Sequence, residues 1–199
     1  IGDASDTDAN ITSTDIMASN GVAHTIDKVL LPQSAIDFVS TLSQKNIVGL
    51  AQSVDDLGLL VDALIQADAG LVDVLSGDGP FTVFAPTNEA FVSLLNDLGD
   101  NYNSLEDFDT AAEKELLATI LTYHVSAGAF VESGDLTDNQ EIPTVQGESL
   151  VAVTTHEISV FDKTGVGSQV IGADNIASNG IVHIIDKVLL PQAVLDQLH

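Results

Sequence analysis

Apolar positions change their spacing partway along the chain. From Ile47 they recur at three- and four-residue intervals: Leu57, Leu60, Val61 and Leu64 form one stripe. Leu71, Val72 and Leu75 continue it into a further short helix, which Ser76-Gly-Asp-Gly-Pro80 stops. The run from Phe81 to Ala85 reads as a short strand in which Phe84 alternates with Val83. Pro86-Thr87 then opens a helix, with Thr87 as its N-cap and Glu89 in the first turn, where the helix dipole favours an anion. Phe91, Leu94, Leu95 and Leu98 make its buried face, and Gly99 ends it. Thr110-Ala-Ala-Glu113 has the form of a capping box, leading a helix that buries Leu116, Leu117, Ile120 and Leu121 and finishes at Tyr123-His124. Beyond His124 the pattern turns to strands, predicted at 125–131, 141–145, 149–154, 157–161, 169–173 and 181–189. Glycine, aspartate and asparagine separate most of them, at distances that suit antiparallel neighbours. Helices first and strands later make the chain α+β.

One stretch occurs twice. Met17-Ala-Ser-Asn-Gly-Val-Ala-His-Thr-Ile-Asp-Lys-Val-Leu-Leu-Pro-Gln33 returns as Ile176-Ala-Ser-Asn-Gly-Ile-Val-His-Ile-Ile-Asp-Lys-Val-Leu-Leu-Pro-Gln192, and His24 and His183 stand 159 residues apart, as do Pro32 and Pro191. A period that long is a whole domain, because solenoid units run to roughly 20–50 residues. Asn-Gly predicts a turn through residues that tolerate positive φ. The β-branched run after it predicts a strand with Ile181, His183 and Ile185 on one face and Val182, Ile184 and Asp186 on the other. Pro191 ends it or caps the sheet edge. Residues 1–33 read as a hairpin on the same plan, and residues 34–44 as a short helix or linker.

These residues carry a resemblance. The Ala-Ser-Asn-Gly run through His183 to Pro191 resembles the C-terminal signature of fasciclin-like (FAS1) domains. Gly79-Pro-Phe-Thr-Val-Phe-Ala-Pro-Thr-Asn-Glu-Ala-Phe91 resembles that family's first block, and Leu121-Thr-Tyr-His-Val125 its central Tyr-His motif. The resemblance implies a wedge-like β-sandwich with a helical cluster packed on one side. It covers residues 45–196 as one complete domain; residues 1–37 resemble the C-terminal remnant of a preceding one, with 38–44 as linker. It also marks Thr87, Asn88, Tyr123, His124, Asn179, Gly180, His183 and Asp186 as the family-motif positions, read here as structural. On this reading the chain is an internal or C-terminal piece of a longer precursor.

Composition narrows the chemistry. A domain of this size buries roughly two-thirds of its unfolded surface, so a core is available without metal or disulfide staples. There is no cysteine, which removes disulfides, thiol catalysis and cysteine-held metal from consideration. Thirty acidic residues face five lysines, for a net charge of −25. Nucleic acid and anionic membrane surfaces are therefore poor partners, while cations, basic proteins and neutral glycans fit. No apolar run approaches the roughly 20 residues of a membrane span, so membrane insertion is not expected.

Asp6, Asp8 and Asn10 have the alternate spacing of a calcium loop, but Ile11 stands where an EF-hand needs glycine and Met17 where it needs glutamate. A solvated acidic turn explains them better, and no cofactor is expected. Ser178, His183 and Asp186 could be written down as a triad. His183 and Asp186 are three apart along a strand, however, and Ser178 lacks a nucleophile elbow. No His-x-x-x-His or phosphate-binding glycine pattern is present. His183 reads as a core histidine bonded to backbone, and His124 as one bonded to the Thr87-Asn88 turn.

The expected function follows from the resemblance: a non-enzymatic, secreted or cell-surface adhesion or matrix-interaction module from a tandem-repeat protein, with a protein or glycan partner. The alternatives are an acidic calcium-, cation- or glycan-binding surface module, and a spacer with no ligand of its own. Self-association through residues 1–37 is a further expectation, because that segment carries apolar residues with no domain to cover them.

Overall fold

The structure, a computed structural model, describes residues 9–35, 45–99 and 102–196. Asp6, Asp8 and the 38–44 linker lie outside the described residues. The chain divides into two compact units, Ile1–Gln44 and Lys45–His199. In the first, β1 (Ile11–Ala18) and β2 (Gly21–Ile26) form an antiparallel hairpin.

The second unit opens on helices α1 (Ile47–Ala51), α2 (Gly58–Gln66) and α3 (Leu71–Ser76). Strand β3 (Phe81–Pro86) follows, then α4 (Asn88–Leu98) and α5 (Ala111–Tyr123). The remaining strands are β4 (Val125–Ala127), β5 (Gln140–Pro143), β6 (Ser149–Val153), β7 (Ser159–Phe161), β8 (Gly167–Ala177) and β9 (Gly180–Ile185). A short α6 (Gln192–Leu195) ends the described chain. The predicted caps are present: Thr87 accepts from Ala90, and Thr110 and Glu113 close a capping box.

Seven strands make one sheet in the order β4-β3-β9-β8-β7-β6-β5. The pairs among β5 to β9 are antiparallel, whereas β3 and β9 run parallel from Phe81 opposite Gly180 to Pro86 opposite Ile185. Strand β8 joins the two halves, pairing with β7 at its start and with β9 from Val170 onward. The alternation of side chains on β3 and β9 then builds two cores. Val83, Ala85 and Val182 face the helices, packing with Leu57, Leu64, Phe91, Leu117 and Ile120. On the other face Phe84 and Ile185 meet Leu150, Ala152 and Val160, so the sheet covers itself. The fold is α+β, with the helical cluster on one side.

Several predicted boundaries move, each for a local reason. The strand expected over 125–131 stops at Ala127, because Gly128 takes φ 80°. The strand expected over 181–189 stops at Ile185. Beyond it the backbone donors go to side chains instead of a strand: Lys187 N–H to Ser168 Oγ, Leu189 N–H to His124 Nε2 and Leu190 N–H to Asp162. Strand β8 is longer than expected and carries two irregularities, with Asp174 at φ 59°. Leu57 belongs to a separate 3₁₀ turn, and Leu116 is half-buried rather than buried. Neither Asn179 nor Gly180 takes a positive φ, so this Asn-Gly pair is present for a reason other than backbone freedom.

The Asp162 carboxylate, with no side-chain exposure, ties this last segment down. It accepts from the Lys187 ammonium at 2.8 Å and from Leu190 N–H at 2.9 Å, and it also bonds Thr164. Replacing Asp162 with alanine is expected to cost about 1–3 kcal/mol, since Leu190 N–H loses its acceptor while the partly exposed Lys187 turns to water. Urea unfolding of the variant against Lys163→Ala, a neighbouring surface change, measures it.

Candidate functional site

The motif residues converge around β3, β9 and the helix ends beside them. Thr87 caps α4, and its own N–H donates to Ile185 O at 3.1 Å, joining the first motif to the last. Asn88 reaches the other way: its Oδ1 accepts from Leu59 N–H at 2.8 Å and its Nδ2 donates to Asp55 O. Those contacts serve a helix start whose first N–H groups have no partner within the helix.

Asn179 works in the same manner at α1 and α3. Its Oδ1 accepts from Ile47 N–H at 2.9 Å, and its Nδ2 donates to Leu75 O and Gly77 O. Gly180 stands against β3 so closely that a Cβ would lie 2.3 Å from Phe81 O and 2.8 Å from Ile47 Cδ1. The pair is thus chosen for an amide that sews two helices to the sheet and for a close strand approach.

The two motif histidines are buried in opposite tautomers. His124 Nδ1 faces Ile120 O at 2.8 Å and must donate, while Nε2 accepts from Leu189 N–H at 2.9 Å. The expected bond from His124 to the Thr87-Asn88 turn is not made; the ring points to the segment after β9, and Thr87 is taken by Ile185. Burial pushes the His124 imidazole down from 6.5 to about 4. His183 is reversed: Nε2 donates to Val131 O at 2.9 Å, and Nδ1 accepts from Asp174 N–H at 3.3 Å. Its ring stacks on Phe84, centroids 5.5 Å apart. Tyr123, fully buried beside His124, donates its hydroxyl to Ser149 O, and burial raises its phenol well above the ordinary range.

Asp186 accepts from Gln169 N–H and Ser168 Oγ, while both ring nitrogens of His183 are bonded to backbone groups elsewhere. Ser178, His183 and Asp186 are therefore not brought together. The structure assembles a different trio that the sequence reading missed. Ser133 Oγ meets Asp174 Oδ2 at 2.5 Å, and Asp174 Oδ1 lies 4.0 Å from His183 Nδ1. It has no nucleophile–base pair, because the serine faces the carboxylate and both imidazole nitrogens are held by backbone. Its hydrogen bonds hold the Asp174 carboxyl below the usual range. The signal for it lay in the repeat: Asp15 stands where Asp174 does, and both take positive φ, 58° and 59°.

Asn10 is used within its hairpin, its N–H and side chain both bonding Asp27. Among the described residues no cluster of three or more histidine or carboxylate groups could hold a metal ion. A surface cleft beside the first motif is lined by Asp56, Thr87, Glu89, Ser93, Ile171 and Asp186. None of the described helices is long and apolar enough to cross a membrane.

Comparison with known proteins gives this arrangement its context. The chain is 38% identical over 163 residues to Protein sll1483 of Synechocystis, covering 79% of this chain and 80% of that protein. It is 34% identical over 158 residues to the cell surface glycolipoprotein MPB83 of Mycobacterium bovis, covering 78% of this chain and 64% of that one. The fold matches a FAS1 domain pair from the insect cell adhesion molecule Fasciclin I with a TM-score of 0.64 at 20% identity, over 94% of this chain and 61% of that chain. The Fasciclin domain family model matches residues 3–32 and 56–191. Fold, motifs and family match agree, and the chain belongs to the fasciclin domain family.

Proposed function

We propose that the chain is a non-enzymatic adhesion or matrix-interaction module, displayed at the cell surface or secreted, from a protein that repeats this domain in tandem. The observation that carries this reading is where the motif side chains go. Thr87, Asn88, Tyr123, His124, Asn179, His183 and Asp186 each bond groups within the fold. What remains to meet a partner is a strongly acidic exterior. The mycobacterial relative bears a cell-surface name, which supports the location. The partner is then a protein with a basic face or a neutral glycan, and polyanions are disfavoured by charge.

The test is direct binding of cells and of a glycan array to the immobilised protein, with and without millimolar calcium. Binding that persists without calcium supports adhesion through the protein surface. Binding of calcium alone moves the reading to a cation-binding module, and no binding of any kind moves it to a spacer.

Charge also sets a stability expectation. With a net charge of −25, self-repulsion dominates and added salt screens it. The melting temperature is expected to rise from low to moderate sodium chloride and further with millimolar calcium. A flat or falling series contradicts this.

A further inference from the structure

Strand β9 ends at Ile185, yet the chain stays packed as far as Val194: Val188 is 3% exposed, and Leu189 and Val194 are 0%. Val188 and Val194 belong to the helix-side core and Leu189 to the other one. What holds this stretch is a row of side chains. Ser168 Oγ accepts from Lys187 N–H at 3.0 Å, His124 Nε2 from Leu189 N–H at 2.9 Å and Asp162 from Leu190 N–H at 2.9 Å. Glu148 accepts from Gln192 N–H at 3.1 Å, at the start of α6. Residues 187–196 thus form a strap pinned at separate points.

The pins answer a proton differently. A hydroxyl gains none, and carboxylates ordinarily gain one only near pH 4, whereas an imidazole titrates above that. His124 has no room for the proton where it stands. Its Nδ1 already donates to Ile120 O, so the added proton goes to Nε2, directly against Leu189 N–H. The ionisable groups around the ring are engaged elsewhere. Asp162 holds Lys187, Leu190 and Thr164, and the Lys187 ammonium brings a positive charge on the strap itself. Glu148 holds Gln192, Asp186 holds Gln169 N–H, and Tyr123 gives its hydroxyl to Ser149 O. His183 is the contrast. Asp174 Oδ1 stands 4.0 Å from its Nδ1 to balance an added charge, and Nε2 can donate to Val131 O in either state. His124 has no such carboxylate among its bonding partners.

We propose that residues 187–196 are a proton-released strap latched by His124: a proton taken up at Nε2 displaces Leu189 N–H, and the strap lifts while the sheet stays folded. Lifting gives Nε2 to water and uncovers Val188, Leu189 and Val194 with the core surfaces beneath them. An acidic module thereby presents an apolar face in acid and hides it at neutral pH. The drive follows from linkage. Burial holds the closed imidazole at about 4, whereas the open form takes its proton at the ordinary 6.5. Opening therefore grows about tenfold for each pH unit lost between those values. Adhesion through the closed surface needs no such opening, so either reading can fail alone.

Amide hydrogen exchange of the 199-residue chain, corrected for its intrinsic pH dependence, reads the strap directly. Protection of Lys187, Leu189 and Leu190 should fall about a hundredfold from pH 6.5 to pH 4.5. At each pH it should stay below that of Leu150 and Ala152 in β6, which separates lifting of the strap from unfolding of the whole unit. His124→Gln, whose side-chain oxygen can accept from Leu189 but takes no proton, should flatten the dependence. Ser168→Ala, which loosens another pin, should lower strap protection at every pH and keep the slope. The proposal is overturned if strap and β6 amides exchange at one rate throughout, if strap protection is flat across this range, or if His124→Gln keeps the wild-type slope. A pH-dependent loss confined to residues 129–133 would assign the response to His183 and overturn it as well. The first two criteria use the wild-type chain alone, so they decide even where His124→Gln does not fold.

Discussion

Phe91→Ala is expected to lower the unfolding free energy by about 3–5 kcal/mol. The ring is fully buried on the inner face of α4, within the cluster that joins the helices to the inner face of β3 and β9. Helix α4 packs on α2 and on β3, so the cavity would open between layers that the sheet and two helices hold apart. Such a site collapses poorly, which places it toward the costly end of large-to-small changes. The neighbouring Val92, 49% exposed on the same helix, provides the control: its replacement by alanine should change stability by less than about 0.5 kcal/mol. Urea unfolding of both variants measures the difference. A loss below about 1 kcal/mol for Phe91→Ala contradicts the assigned helix face.

Stability is also expected to fall by roughly 3 kcal/mol as the pH drops from 7 to 4, through His124. Its folded value, about 4, lies below the ordinary 6.5. Between those values the unfolded chain binds a proton that the folded one refuses, so the stabilisation is complete above pH 6.5 and is lost as pH falls toward 4. Protonation would put a second N–H against Leu189 N–H, which Nε2 now accepts. The lowered carboxyls of Glu113 and Asp174 act in a more acidic window, because their stabilisation is present above the usual carboxylate range and fades below it. His124→Gln separates the two. It should start less stable at pH 7 and lose the slope between 6.5 and 4; a variant that keeps the wild-type slope assigns the effect elsewhere.

Much of this architecture was legible because its causes are local. The capping box at Thr110, the N-cap at Thr87 and the alternation through Val182 to Ile185 depend on neighbours a few residues away. The motif histidines were legible as core residues for the same reason, since their flanks are apolar. What could not be read was the long-range bonding. Nothing near His124 announces that Leu189 will donate to its ring, and nothing near Asn179 announces Ile47 or Leu75. Asn-Gly was read through its own turn propensity, whereas the structure uses the asparagine amide and the absent glycine Cβ against elements far away in the chain. The parallel pairing of β3 with β9 is of the same kind, because periodicity places a strand without naming its neighbour.

That pairing has a consequence for synthesis. A ribosome makes β3 well before β9, so the inner strand of the sheet emerges with one flank unfilled. The helices can gather around it, but both cores stay open until the last hairpin leaves the exit tunnel, since Val182 completes one and Ile185 the other. Pairings this distant in sequence are slow to form, and exposed strand edges in waiting intermediates invite wrong partners. In a tandem array of the kind proposed above, the hairpin of the domain before it would already have emerged with the same geometry. Differences such as Ala23 for Val182 and Thr25 for Ile184 would then act as addresses, letting each nascent domain close on its own hairpin instead of its neighbour's.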